Sequence, residues 1–490
     1  MKGPRFSRRA CLAMVTGGAA GLLAACGGST QATVSTSSAA TGSAASAISS
    51  ALPTSSTVTS GTALPAPVAT SSTATSATQA AANAPATQAT LLYWDWWSPT
   101  GSPSMTAWWA FIQSDYQAKH PGIKLQTEFL SDFTVYQTRF AGGTYPDAMH
   151  TSTAFTYDFW LRGALATLES RIAQTPMVSM DQFMPTSLFY NQAQGHIFGI
   201  PMEGPDSEAF IYNTDMFTTA GLDPDPAKVS QWTWDQFTQA ARSLTKLDGS
   251  GNVTVAGFDG PALALSITGL SRWLNTNGVD LYNQQINGVA FDNAQGIETV
   301  QFLVDLSQKY KFWWPSNVPP TKNGRVLDGV AATAITGTWN VETISDFAPK
   351  LNYQIVPLPA GPHGKPSTRT WENMVALPKQ AKNPDAGWDF MAYYAGKDTI
   401  IQRLAKLNRV GPRLDFFQSP EFIARAKTQP QITWVQKVGE VGGRDAYFRQ
   451  AALTTAVQPI IKQALAGTVS AADATHQMAQ ACNAVLAQPE

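Results

Sequence analysis

The sequence predicts an open α/β architecture with additional C-terminal helices, built as two domains. Three observations carry that reading. Short apolar strands alternate with helical stretches along residues 91–490, and no internal repeat interrupts them. A stretch of that length also exceeds what one hydrophobic core usually supports.

The elements follow in order. Leu91-Leu92-Tyr93-Trp94-Asp95-Trp96-Trp97 reads as a strand stopped by the breaker cluster Ser98-Pro99-Thr100-Gly101. Met105 to Lys119 reads as a helix with apolar positions at Trp108, Trp109, Ile112 and Tyr116, stopped by His120-Pro121-Gly122. Because Trp108 and Trp109 are adjacent, one is expected to pack and the other to approach a cleft. Ile123 to Phe129 alternates like a strand, Phe133 to Phe140 is a helix, and Ala148 to Thr151 is a short strand. Phe155 to Arg162 and Met177 to Phe183 give short helices, and Ile197 to Met202 and Phe210 to Asn213 give two separate strands. Thr214 to Ala220 is helical. Thr233 is an N-cap with Gln236 as its capping-box partner, opening a helix to Leu247.

Asp248-Gly249-Ser250-Gly251-Asn252 is a tight turn; it lacks the closing Glu of a calcium loop. Ala262 to Asn275 is helical. Asn293 to Tyr310 is amphipathic, with Ile297, Val300, Leu303, Val304 and Ser307 on one stripe. Val330 to Ile335, Tyr353 to Pro357 and Asn373 to Leu377 read as strands. Pro384 to Tyr394 starts with Pro in its first turn, as helices favour. Asp398 to Lys406, Glu421 to Lys427, Asp445 to Ala464 and Ala471 to Leu486 are the closing helices.

Ahead of this body lies a different kind of chain. Lys2, Arg5, Arg8 and Arg9 precede the apolar stretch Cys11 to Ala25, the pattern of an export signal over residues 1–25. The junction Leu23-Ala24-Ala25-Cys26-Gly27 resembles the lipoprotein processing box. That resemblance implies lipidation of Cys26 and a membrane association through the lipid alone. Residues 26–90 then form a Ser/Thr/Ala/Pro-rich tether. Between Arg9 and Asp95 there is no charged residue, and between Phe6 and Tyr93 no aromatic one. Such a segment has too little apolar surface to offset the entropy of ordering, so it is expected to be disordered. Its r.m.s. reach is roughly 40–50 Å.

Without the four basic residues of the signal, 29 Lys and Arg stand against 34 Asp and Glu, a net charge near −5. That balance argues against a nucleic-acid partner. With Cys26 lipidated and the signal removed, Cys482 has no intrachain disulfide partner. No cofactor or metal is expected, because His120, His150, His196, His363 and His476 are dispersed and no Cys cluster occurs. All 15 Trp residues fall between Trp94 and Trp434. In an exported chain that abundance suits sugar binding, where flat rings stack on apolar pyranose faces. Trp273 and Trp313-Trp314 are expected in the core or at a rim.

Several motifs in order resemble a bacterial carbohydrate ABC importer's extracellular solute-binding protein, of the family that includes the maltose binders. They are Trp94-Asp95-Trp96, Tyr145-Pro146-Asp147, Gly199-Ile200-Pro201, Tyr212-Asn213-Thr214-Asp215-Met216-Phe217, and Ala220-Gly221-Leu222-Asp223-Pro224. Next come Trp232-Thr233-Trp234-Asp235-Gln236-Phe237, Ile335-Thr336-Gly337-Thr338-Trp339, Val356-Pro357-Leu358-Pro359, and Met374-Val375-Ala376-Leu377-Pro378-Lys379 running into Asn383-Pro384-Asp385. The resemblance implies a periplasmic-binding-protein-like fold of two interleaved α/β lobes and a hinge. By chain order, 91–203 and 372–415 form the first lobe, 204–356 and 416–490 the second, and 357–371 a hinge crossing. It further implies a monomer anchored to the outer face of the cell membrane that delivers a carbohydrate ligand to ABC permease subunits.

Ligands bind at strand ends that face the crevice of an open sheet. Candidate contacts there are Trp94, Asp95, Trp96 and Trp97, of which at least one Trp points into the core because strand neighbours alternate faces. Glu203 and Glu208 flank the first crossing, whereas Tyr212 suits the core. By resemblance, Trp339 matches a stacking Trp of the second lobe, Phe155, Thr156 and Tyr157 lie where relatives carry contacts, and Arg444 lies in a late contact loop. Trp371, Glu372 and Asn373 replace the family's Gly-rich approach and place an aromatic ring and a carboxylate at the cleft edge. Glu203 with Asp95, or Glu372 with Asp147, would be the carboxylate pairs of a competing glycoside hydrolase. A surface glycan sensor is the third reading.

Overall fold

The computed structural model describes residues 89–260, 265–310, 321 and 324–488; Cys26, most of the tether and Trp313-Trp314 lie outside the described residues. An eight-stranded mixed sheet forms the spine of a two-lobed α/β fold. Strand β1 (Ala89–Asp95) pairs in parallel with β2 (Ile123–Phe129) on one side and β3 (Ala148–Ser152) on the other. The 14-residue β4 (Ile200–Asn213) is the long member. Its second half pairs with β5 (Thr333–Gly337) and β6 (Tyr353–Val356). Its first half pairs antiparallel with β7 (Thr368–Ala376), which continues the sheet to β3. A short β8 (Gly442–Arg444) lies parallel on β7.

Alternation along β4 divides the second lobe's core. Phe210 and Tyr212 face one cluster with Phe237, Leu270, Trp273, Leu303, Val457 and Met478. Ala209 and Ile211 face the other with Ile344, Ile355, Val435 and Val438. The first lobe's core gathers Tyr93, Trp108, Ile112, Tyr116, Leu125, Phe390 and Tyr394. Helix α1 (Pro103–Lys119) covers β1 and β2, α2 (Phe133–Ala141) starts at an Asp132 cap, and α3 (Thr153–Leu161) follows β3 directly. In the second lobe α4 (Trp234–Leu244) opens with the expected capping box of Thr233 and Gln236. Helix α5 (Ile267–Thr276) follows. Then come α6 (Ala294–Gln308) and the short α7 (Asn340–Phe347). Helices α8 (Pro384–Tyr394) and α9 (Lys397–Leu407) return to the first lobe, and α10 (Gln431–Glu440), α11 (Gln450–Leu465) and α12 (Ala471–Leu486) finish the chain.

Several expectations need correction. The two strands expected at 197–202 and 210–213 are one strand that passes from lobe to lobe. Met177 to Phe183 forms two short 3-10 turns rather than a helix. Trp108 and Trp109 are both buried, at 0% and 6% exposure, because Trp109 tucks its Nε1 onto Trp97 O at 2.7 Å while Trp108 donates to the Tyr394 hydroxyl at 3.2 Å. The buried stripe of α6 is Gly296, Thr299, Val300, Leu303 and Leu306, turned by about one position from the apolar one. Gly296 permits this close packing, since a Cβ there would lie 1.8 Å from Phe291 O. Trp273 is core. The last helical pair begins later than expected, at Gln450, and α10 and β8 precede it.

Candidate functional site

Two strands carry the chain between the lobes side by side. β4 and β7 pair Trp371 with Asp206 and Asn373 with Glu203, with register shifts between Trp371 and Asn373 and again before Met374. Gly204 makes that irregularity possible. Its φ is +117°, and a Cβ would sit 2.1 Å from Asp206 N and 3.2 Å from Glu372 Oε1. The bulge thus brings three carboxyl groups, Glu203, Asp206 and Glu372, to one place.

Two guanidinium groups enter this cluster. Arg403 from α9 donates to Met202 O and lies 3.3 Å from Glu203 Oε2. Arg409 binds Glu203 Oε1 and Glu342 Oε2 together, and its guanidinium lies 4.8 Å over the Trp97 ring. Asp206 accepts from Asn373 Nδ2. Burial and the Glu203 charge raise its carboxyl to about 7, despite Arg409 and Arg403. Neither Glu372 oxygen has a well-formed hydrogen bond. Burial, only partly countered by the Ser187 hydroxyl, then Asp206 and Glu203, push that carboxyl well above the carboxylate range.

Glu203, Gly204, Asp206, Arg409, Thr338 and Trp339 line a cavity of about 10 Å3 at this crossing. The Trp339 ring meets the Trp371 ring edge-on at a centroid distance of 5.3 Å. The Arg369 guanidinium lies 4.7 Å from the centroid of the Trp371 ring. Trp97 and Trp339, both half-buried, thus border the acid–arginine cluster, the first through Arg409 and the second in the cavity wall, and the half-buried Trp371 meets Trp339.

The remaining candidates fall in different places. Asp95 is fully buried; it accepts from the Tyr93 hydroxyl at 2.9 Å and Trp97 N–H at 2.7 Å and meets His150 Nδ1 at 3.0 Å. Its oxygens are committed within the lobe, and the far ring nitrogen of His150, Nε2, lies 3.1 Å from Asn373 Oδ1. Trp96 joins the same network, donating to His150 Nε2 at 3.0 Å. Trp94 is packed between Phe140 and Tyr136 at 0% exposure. Phe155 stacks toward Phe133, which also meets Trp96. Thr156 is buried and bonded to Thr151 and Ser152 O. Tyr157 meets Tyr447 and Phe448 edge-on, and Arg444 is exposed with its guanidinium over Phe189.

Glu208 belongs to a second cluster, five residues along β4. It binds Arg272 at 2.6 Å and Arg369 at 2.9 Å, and Arg369 also binds Asp445. Burial raises the Glu208 carboxyl, yet Arg272 and Arg369 outweigh it and the net shift is downward. Sequence reading missed Asp206, Glu342, Arg403 and Arg409. The signal that could have found Asp206 is its position three residues after Glu203 on the crossing segment; the others meet the cleft only through the fold. Among the described residues no group of three or more His, Cys, Asp or Glu is placed to hold a metal ion. None of the described helices is long and apolar enough to cross a membrane.

Comparison with known proteins gives the fold a family. A putative binding protein of Brucella abortus is 22% identical over 324 residues, covering 62% of this chain and 74% of the relative. The GacH receptor of Streptomyces glaucescens, solved unliganded and with acarbose, superposes with a TM-score of 0.67 at 18% identity, covering 82% of this chain and all of that one. The cyclic α-maltosyl-1,6-maltose binding protein of Arthrobacter globiformis gives 0.67 at 20%, covering 81% and 99%. These structural likenesses speak for the fold. The family model described as bacterial extracellular solute-binding protein matches residues 98–400, more than half of the chain, and this chain belongs to that family.

Proposed function

We propose that the chain binds a neutral di- or oligosaccharide in the cleft at the β4–β7 crossing and delivers it, unaltered, to the permease of an ABC importer. The observation that carries this reading is the cavity lined by Trp339 with Glu203, Asp206 and Arg409, beside which Trp371 meets Trp339 and Trp97 lies under Arg409. Half-buried rings offer apolar platforms for pyranose faces, and a buried polar floor offers hydroxyl partners. The charge balance favours an uncharged solute. Glu203 and Glu342 are matched by Arg403 and Arg409, while Asp206 is raised to about 7 and Glu372 above the usual range.

The acarbose receptor and the cyclic maltosyl-maltose binder, which share the fold, support a carbohydrate as the solute class. Cys26 and the uncharged stretch after it suit a lipid tether that keeps the protein beside its permease at the outer face of the membrane. Native mass spectrometry on protein exposed to mixed neutral glycans tests the reading. A one-to-one complex with an intact di- or oligosaccharide is expected. Retention of none of them, or release of cleaved glycan, would overturn it.

A further inference from the structure

Glu342 and Asp346 stand one turn apart on α7, the helix for which Trp339 is the N-cap. Both reach across the cleft to the start of α1. Ser102 Oγ donates to Glu342 Oε1 at 2.9 Å. Ser104 Oγ donates to Asp346 Oδ1 at 2.7 Å, and the Ser104 N–H to Asp346 Oδ2 at 3.3 Å. Ser102 is at the same time the cap of α1, accepting from Met105 N–H at 3.0 Å. Helix α1 has no acidic residue in its own first turn. The two carboxylates of α7 therefore take the place that helix N-termini give to anions.

The two sides of this contact belong to different cores. Trp108, Trp109 and Ile112 of α1 pack in the first lobe, and Val341 and Ile344 of α7 pack beneath β4 and β6 in the second. Beside it, Asn408 donates to Ser345 Oγ at 2.8 Å, and Arg409 joins Glu342 to Glu203. The cavity at the β4–β7 crossing, lined by Trp339 just ahead of α7 and by Arg409, measures about 10 Å3, whereas pockets for small molecules span about 300 Å3 or more.

We propose that Ser102 and Ser104 of α1 with Glu342 and Asp346 of α7 form an interlobe latch that holds the cleft closed and sets the rate at which solute leaves. Trp339 opens the latched helix, so the latch also governs when that ring faces the solute. The role in solute release rests on the sugar-binding reading, whereas the latch itself does not. Ser104 and Asp346 are only partly buried, so Ser104→Ala and Asp346→Ala test it without emptying a core.

Hydrogen exchange on the full chain without added sugar reads the latch directly. Each single variant is expected to speed exchange about 5- to 10-fold in residues 99–106 and 340–347, with β1 and β3 unchanged. The double variant is expected to match Asp346→Ala alone, because that change already removes the Ser104 hydroxyl bond together with the backbone one. Unchanged exchange in the singles, or additive effects in the double, would overturn the proposal. With a bound glycan, dissociation is expected to quicken about 10-fold; unchanged dissociation alongside faster exchange would overturn the role in release. Absence of any glycan binding would overturn the sugar reading and leave the exchange result standing.

Discussion

Two ion clusters sit five residues apart on the same strand, and they are built to different ends. Around Glu208, two carboxylates meet two guanidinium groups: Glu208 with Arg272 and Arg369, and Arg369 with Asp445. Ser271 adds a bond to Asp445 at 3.1 Å. This cluster joins α5, β4, β7 and the segment after β8. Around Glu203 the acids outnumber the bases, Glu372 lacks well-formed bonds, and Asp206 titrates near neutrality. Of the two, it is the Glu203 cluster that lines the cavity. A balanced buried cluster rivets the fold, whereas an unbalanced one beside half-buried rings leaves polar capacity for a solute.

The sharpest way to break this contrast is Glu208→Ala. It strands Arg272, whose guanidinium burial already draws down to about 10, and is expected to cost about 3–5 kcal/mol in the denaturant midpoint. A loss no larger than that of a surface substitution would remove the rivet. On the binding side the change is Trp339→Ala, expected to weaken sugar binding about 10-fold or more, or about 1.4 kcal/mol, with the denaturant midpoint nearly unchanged. Titration by intrinsic fluorescence checks it, and equal affinity would take Trp339 out of the site.

The acid-rich cluster also has a pH signature. The Asp206 carboxyl is raised from 3.8 to about 7, mainly by burial, so between those values the folded chain keeps a proton that the unfolded chain has released. Its contribution therefore falls as pH rises through that window and is fully lost above about 7. Asp206→Asn is expected to flatten that part of the stability profile, by up to about 4 kcal/mol between pH 4 and 8, since each pH unit of that window is worth about 1.4 kcal/mol. A profile as steep as that of the parent would contradict the assignment. The smallest effect is expected from Arg444→Ala: it is exposed, and its removal should shift stability by less than about 0.5 kcal/mol. A larger shift would tie it to the Glu208 cluster.

What was legible in the sequence was local. The Thr233–Gln236 box, Pro384 at a helix start, and the runs that became α8 and α12 each carry their signal within one element. The crossing beside Glu203 was expected, but not that it runs as one continuous strand, because the irregularity at Gly204 is absorbed as a bulge only in the register against β7. The same holds for the site. Trp97, Glu203, Trp339, Trp371 and Asn373 were candidates from strand ends and resemblance. The fold pairs Asn373 with Glu203, puts Glu203 and Trp339 in the cavity wall, and sets Trp371 against Trp339, with Trp97 under Arg409. Asp95 was named a candidate ligand contact, but its partner His150 comes from β3, 55 residues away. Arg403, Arg409 and Glu342 depend on pairings across 67 to 206 residues, which no local pattern announces.

Calorimetric titration of the whole chain with neutral di- and oligosaccharides tests the central claim most directly. The account predicts one-to-one binding of at least one of them, lost or weakened about 10-fold in Trp339→Ala, with the sugar recovered intact. Binding that is indifferent to Trp339, Trp371 and Asp206 alike would contradict a solute seat at the β4–β7 crossing.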